Sequence, residues 1–140
     1  MILNQYNTFV EICHWIKDIY INLINETKKV ENLQYNIYVQ QTLNYIKSNY
    51  KKDISLSTAG KYVGISPSYL SKIFKDETNQ GFVEYLISYR IERAKVYLLK
   101  GLNIKEVAYQ CGFNDYNYFF RVFKKNVGVT PKSYVLNKEK

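Results

Sequence analysis

From residue 2 to residue 24 apolar side chains recur at Ile2, Tyr6, Phe9, Cys13, Ile16, Tyr20 and Leu23, a 4-3-4-3-4-3 spacing. That is the seam of a heptad helix, and Leu3, Val10, Ile12, Ile19 and Ile24 widen it. A helix this apolar along one side needs a covering surface. Either a second copy supplies it in a coiled-coil-like dimer, or another domain does, the rest of this chain included. The stretch NETKKVENLQYN (25–36) is polar and interrupts the pattern, which predicts a linker after an N-terminal amphipathic helix within 1–30. Beyond it Val39, Leu43, Ile46 and Tyr50, spaced 4-3-4, predict a second helix.

The architecture follows from an internal repeat. LSTAGKYVGI (56–65) aligns with IKEVAYQCGF (104–113), Gly64 on Gly112 and Gly60 on Ala108. With one extra residue in the second turn, YLSKIFK (69–75) falls on YFFRVFK (118–124), and Tyr85 falls on Tyr134. Each unit is a short helix, a tight turn containing glycine, and a longer helix. Ser55 and Asn103 stand where N-caps belong, and Asn103 with Glu106 resembles a capping box. Ser66-Pro67 and Thr130-Pro131 place a hydroxyl before a first-turn proline. Asn79 and Gly128 fall just past the long helices, where a left-handed residue is wanted. No useful length alternates with period two, so the fold class is all-α: two helix-turn-helix subdomains joined by a long linker helix.

That linker helix is FVEYLISYRIERAKVYLLK (82–100), whose nineteen residues span roughly 28 Å at ~1.5 Å each. One turn of B-DNA is about 34 Å, so a single chain can hold two major-groove readers near that separation. Charge supports a polyanionic partner. The chain carries +8 in all, yet residues 1–35 hold three lysines against four acids, so the remainder carries +9. Cys13 and Cys111, 98 positions apart, form neither a disulfide framework nor a metal-ligand spacing. A single histidine, His14, excludes a catalytic triad or a multi-histidine metal site. Neither a signal peptide nor a membrane span is expected, and the predicted location is cytoplasmic. No cofactor and no enzymatic activity are expected.

These residues resemble the AraC/XylS family of bacterial transcription regulators over about residues 37–136, some 70% of the chain. The strongest match is GF (112–113), DYNYFFRVFKK, GVTP and Tyr134; SPSYLSKIFK and RIERAKVYLL match the first unit and the spacer. The resemblance implies a DNA-binding domain of seven helices, with subdomains over 37–80 and 101–136 about a linker helix at 81–100. It also implies two recognition helices in successive major grooves of promoter DNA, and contact with RNA polymerase. There are three departures. Val135 follows Tyr134 where the family usually has a basic residue, and Phe120 stands where a small polar residue is usual. The first 35 residues lack the family's common sensory domain and are similar to linker helices of response regulators that end in this domain.

On the first recognition helix (67–77), Leu70, Ile73 and Phe74 form the inward stripe. Ser68, Ser71, Lys72 and Lys75 form the outward one. On the second, Phe119, Val122 and Phe123 face inward, with Phe113 and Tyr118 also assigned to the core. Tyr116, Asn117, Phe120, Arg121 and Lys124 lie outward. Candidates for base contact are Ser68, Ser71, Lys72, Tyr116, Asn117, Phe120 and Arg121, because Arg bridges guanine O6 and N7 and Asn bridges adenine N6 and N7. Lys75, Lys124, Lys125 and Lys132 suit phosphates, where a point charge suffices. Phe120 faces either a thymine methyl or a neighbouring helix. Arg90 and Arg93 on the spacer are expected to pair with acids inside the domain. The leading function is thus a sequence-specific regulator of double-stranded promoter DNA. The alternative is an interaction module acting through the heptad helix, with the 2–24 seam forming a homodimer. A DNA-repair enzyme is a third class, but neither cysteine has the neighbours of a nucleophile.

Overall fold

The computed structural model describes residues 8–138, and among them it contains seven helices and no strand. They are α1 (Phe9–Asn49), α2 (Leu56–Val63), α3 (Pro67–Thr78), α4 (Phe82–Leu99), α5 (Ile104–Gln110), α6 (Tyr116–Val127) and α7 (Pro131–Lys138). Ile2 and Tyr6 of the predicted seam lie outside the described residues. The chain divides into two compact units, one ending at Ile37 and one beginning at Tyr38.

The predicted linker over 25–36 is not a break. α1 runs through it as one helix of 41 residues. Polarity alone does not end a helix. The segment has neither Gly nor Pro, its charged side chains are solvated, and Lys29 pairs with Glu26 one turn back at 3.4 Å. In the first unit α1 is exposed along almost its whole length, Phe9, Tyr20 and Leu23 included.

In the second unit the end of α1 buries Val39, Thr42 and Ile46, and α2 and α3 pack together as the first helix-turn-helix. Ser55 and Thr58 make a reciprocal capping box. The Thr58 amide donates to Ser55 Oγ at 3.2 Å, and the Ser55 amide to Thr58 Oγ1 at 2.9 Å. At the turn, the amide of Ile65 returns to the carbonyl of Gly60 at 3.1 Å, and a methyl on Gly60 would lie 2.9 Å from the Ile65 carbonyl. The second turn repeats the same bond, Phe113 amide to Ala108 carbonyl at 3.1 Å. It takes three residues from Gly112 to the next N-cap, Asp115, instead of two from Gly64 to Ser66. Ala108, at the place of Gly60, is fully buried.

α4 connects the halves. It buries Phe82 and Leu86 toward α3, and Ile91, Ala94 and Leu98 in a core with Val107, Ala108, Cys111, Phe113, Phe119 and Phe123. A helix serving both halves must be apolar on more than one side, so its pattern is less regular than that of α6. Its 18 residues span ~27 Å. Its start is held by Glu84, whose carboxylate accepts from the Gly81 amide at 3.1 Å.

Arg90, on α4, makes the junction between the halves. Its Nε donates to the Tyr50 carbonyl at 2.8 Å and its Nη2 to the Lys52 carbonyl at 2.9 Å, satisfying the turn that follows α1. Its guanidinium lies 5.7 Å from the centre of the Phe113 ring. Burial holds its pKa below the ordinary arginine value, with the Asp53 charge opposing. The neighbouring Arg93 is held charged by hydrogen bonds with the Tyr50 and Tyr97 hydroxyls. The expected ion pairs are therefore replaced by carbonyl and hydroxyl partners. The carbonyls of Tyr50 and Lys52 lie in the turn after α1, outside any helical ladder, and a planar fork of donors matches both. Gly112 sits against this junction with φ +88°; a methyl there would collide with the Tyr50 carbonyl and lie 3.0 Å from Arg90 Cζ.

Candidate nucleic-acid interface

α3 begins as the sequence reading expects, with Ser66 Oγ accepting the Tyr69 amide at 3.2 Å and Pro67 in the first turn. It ends on Asn79 in the left-handed conformation, φ 57°. Leu70, Ile73 and Phe74 are buried, and Phe74 meets the rings of Phe82 and Tyr85 edge-on at 5.9 and 5.5 Å. The opposite face presents Ser68, Ser71, Lys72 and Lys75, all exposed.

α6 is the most amphipathic of these helices. Phe119 and Phe123 are buried, and Phe123 packs edge-on against Tyr134 of α7 at 5.7 Å. Its N-cap, Asp115, accepts the Tyr118 amide at 2.6 Å. Sequence reasoning passed over that aspartate, although an acid directly before an amphipathic run is an N-cap signal. Asn117, Arg121, Lys124 and Lys125 are exposed. Among the described residues no acid lies within ion-pairing distance of Lys72, Lys75, Arg121, Lys124, Lys125 or Lys132. Two outward faces, at matching positions of a repeated unit, thus carry hydrogen-bonding groups and cations, the cations of α6 without an acid on the same helix and those of α3 with Asp76 and Glu77 exposed nearby.

The aromatic candidates divide differently. Tyr116 is half-buried against the second core, and Phe120 is half-buried with its ring 6.4 Å from that of Tyr116. The neighbour of Phe120 is therefore a ring one turn back on its own helix. Tyr118, assigned to the core by its pattern, is 41% exposed. Its ring lies 6.2 Å from Phe113 but is turned toward an open cleft of about 460 Å³, between Gln80, Glu84, Ile87 and Ser88 on one side and Val122, Lys125 and Asn126 on the other. Periodicity alone misses this, because Phe113 and Phe119 already fill the core position beside it.

Around the interface, Lys132 is exposed on α7, which starts with Thr130 Oγ1 accepting the Ser133 amide at 3.2 Å. Val135 packs half-buried against the second core, a position that suits a valine and leaves no outward cation there. Asn103 accepts the amides of Lys105 and Glu106 at 2.9 and 3.4 Å, a one-sided cap for α5. Cys111 is buried, and burial pushes its thiol up to about 11. Cys13 and His14 are exposed on the first unit. Among the described residues no cluster of His, Cys, Asp or Glu is arranged to hold a metal, and no helix is long and apolar enough to cross a membrane.

A repeated helix-turn-helix on a shared spacer helix, with two basic outward faces, defines a class of nucleic-acid-reading domains. The profile of a helix-turn-helix domain family matches residues 60–137. An uncharacterized HTH-type transcriptional regulator from the cgkA 5′ region of Pseudoalteromonas carrageenovora is 46% identical over 99 residues, 71% of this chain and 59% of that protein. The C-terminal domain of AraT, a response regulator from Geobacillus stearothermophilus, superposes with a TM-score of 0.70 at 32% identity, covering 71% of this chain and 84% of that one. The DNA-binding domain of the global transcriptional factor AdpA, solved with a target DNA, shares the fold at a TM-score of 0.68 and 19% identity, over 71% of this chain and 90% of that one. The chain belongs to the AraC-type helix-turn-helix family of transcription regulators. It spans just under three fifths of the length of the Pseudoalteromonas relative.

Proposed function

We propose that this chain reads double-stranded promoter DNA by laying α3 and α6 into successive segments of one major-groove face. The observation that carries the reading is the repeat of exposed polar and cationic side chains at equivalent positions of both helices: Ser68, Ser71, Lys72 and Lys75 on α3, and Asn117, Arg121 and Lys124 on α6. The spacer supports it, since ~27 Å of helix approaches the ~34 Å repeat of the groove. AdpA, a protein of the same fold, was solved on its target DNA. In this reading Lys72, Asn117 and Arg121 address base edges, with Ser68 and Ser71 beside them. Lys75, Lys124, Lys125 and Lys132 hold phosphates. Tyr116 and Phe120 act mainly by shaping the face that carries Asn117 and Arg121. By family resemblance, RNA polymerase is the partner through which such binding regulates transcription.

The test begins by selecting bound sequences from a random DNA pool, then compares the selected site with random duplex by fluorescence anisotropy. Arg121→Ala should cost about 1–3 kcal/mol on the selected site and little on random DNA. An equal loss on both would reassign Arg121 to a phosphate. Lys124→Ala should weaken both alike and reduce the salt slope by about one. If wild-type protein enriches no sequence, the reading fails.

A further inference from the structure

Because α1 is unbroken through 25–36, Val30 and Ile37 join Phe9, Ile16 and Leu23 at a constant seven-residue interval. All five are more than half exposed. The alternating seam positions between them hold Cys13, Tyr20, Thr27 and Gln34, also exposed, so only Thr27 and Gln34 are polar across the whole seam. A straight α-helix drifts about 20° per heptad against such a repeat. A partner that stays on the stripe for four heptads must therefore supercoil with it, which selects another helix over a flat domain surface. Tyr20, Leu23, Ile24 and Thr27, spaced i, i+3, i+4, i+7, line a shallow groove of about 350 Å³ together with Lys28 and Glu31. Four residues so spaced form the hole that receives a side chain from a facing helix.

The rim charges select the partner and its direction. Lys17 and Glu31 each follow a seam residue, Ile16 and Val30, and so lie on the same rim, seven residues either side of Ile24. Ile24 is close to the middle of the seam. Two antiparallel copies therefore overlap almost completely with Lys17 of each beside Glu31 of the other. Parallel copies would set Glu26 against Glu31 across the seam, twice over, and like charges there oppose pairing. In the antiparallel arrangement the two Glu26 side chains approach only near the centre, where each has Lys29 of its own helix at 3.4 Å.

We propose that the segment Phe9–Ile37 of α1 pairs antiparallel with the same segment of a second copy of this chain. The pairing stands independently of the DNA reading. It brings Cys13 of one copy opposite position 37 of the other.

Sedimentation of the full chain at about 50 µM, where a micromolar dimer is nearly saturated, should give a dimer mass. Leu23→Asp should raise the dissociation constant at least 100-fold, about 2.7 kcal/mol or more. Val83→Asp, at an exposed valine of α4 outside the seam, should leave it unchanged. Unfolding of the second unit, followed by its aromatic signals, should be the same in all three proteins, so that lost pairing is not misfolding. Under mild oxidation Ile37→Cys should yield a covalent dimer, whereas the unaltered chain, with Cys13 and the buried Cys111, should not. A monomer at that concentration overturns the proposal, as does a larger assembly or a dimer insensitive to Leu23→Asp. Ready cross-linking of the unaltered chain through Cys13 overturns the antiparallel direction and, with it, the proposal as stated.

Discussion

Replacing Gly112 by alanine tests the junction that joins the two helix-turn-helix units. Gly112 and Gly128 share a φ of +88°, so a side chain at either position pays a left-handed strain of about 1–2 kcal/mol. There the likeness ends. A methyl at 128 meets nothing within 4 Å, whereas one at 112 collides with the Tyr50 carbonyl and lies 3.0 Å from both Cζ and Nε of Arg90. The carbonyl is backbone and has no rotamer to escape into. The guanidinium can move only by giving up its bonds to Tyr50 and Lys52, at 2.8 and 2.9 Å. Hydrogen bonds of a charged donor contribute about 1.5–3 kcal/mol each, and the solvent reached by this half-buried side chain reduces that. The expected loss for Gly112→Ala is therefore about 3–5 kcal/mol, against about 1–2 for Gly128→Ala. Urea unfolding monitored by near-ultraviolet circular dichroism reports chiefly the packed Phe and Tyr rings of the second unit, with Trp15 of α1 contributing a separate band at longer wavelength. Equal destabilisation by the two substitutions would show that Arg90 and the α1 terminus do not clamp this turn.

Two further outcomes follow from the same packing. Burial raises the Cys111 thiol from 9.0 to about 11 and the Tyr50 hydroxyl from 10.0 to about 12. Both are neutral when protonated, and the folded state holds the proton to higher pH, so their contribution is complete below the unfolded values and is lost as pH rises. Stability should begin to fall near pH 9 and keep falling toward pH 11 through the thiol, whereas the hydrogen bond that helps raise Tyr50 lowers its partner Tyr97 and offsets part of the tyrosine contribution. Cys111→Ala should remove the part between pH 9 and 11; an unchanged alkaline profile in that variant would exclude the thiol as a source. Phe120→Ser, which installs the small polar residue usual in relatives, should destabilise the fold by roughly 1–2 kcal/mol, because most of the ring is covered. Thermal unfolding checks this, and an unchanged midpoint would leave Phe120 a purely outward-facing residue.

Much of this protein is legible along one dimension. Ser66-Pro67, Thr130-Pro131, Asn79 and Gly128 act through atoms at most four residues away, so their roles as caps and stops could be read directly and the structure bears them out. The repeat placed Leu70, Ile73, Phe74, Phe119 and Phe123 inside, because a helical period dictates a face whatever the neighbour is. The same period left Ser68, Ser71, Lys72, Asn117, Arg121 and Lys124 outside. Residues 25–36 were misread because polarity measures a lack of burial, and a solvated helix is polar without being broken.

What depended on the third dimension was which neighbour fills each space. Tyr118 looked like core until Phe113 and Phe119 were seen to occupy its place. Phe120 could face a thymine methyl or a neighbouring helix, and the ring beside it, Tyr116, belongs to its own helix. Arg90 looked like half of an ion pair, but the carbonyls it binds belong to residues 40 and 38 positions earlier, and no local pattern records a turn arriving from so far away. Helical faces and caps are set within a few residues of chain, whereas the partners of a side chain are set by the elements that folding brings beside it.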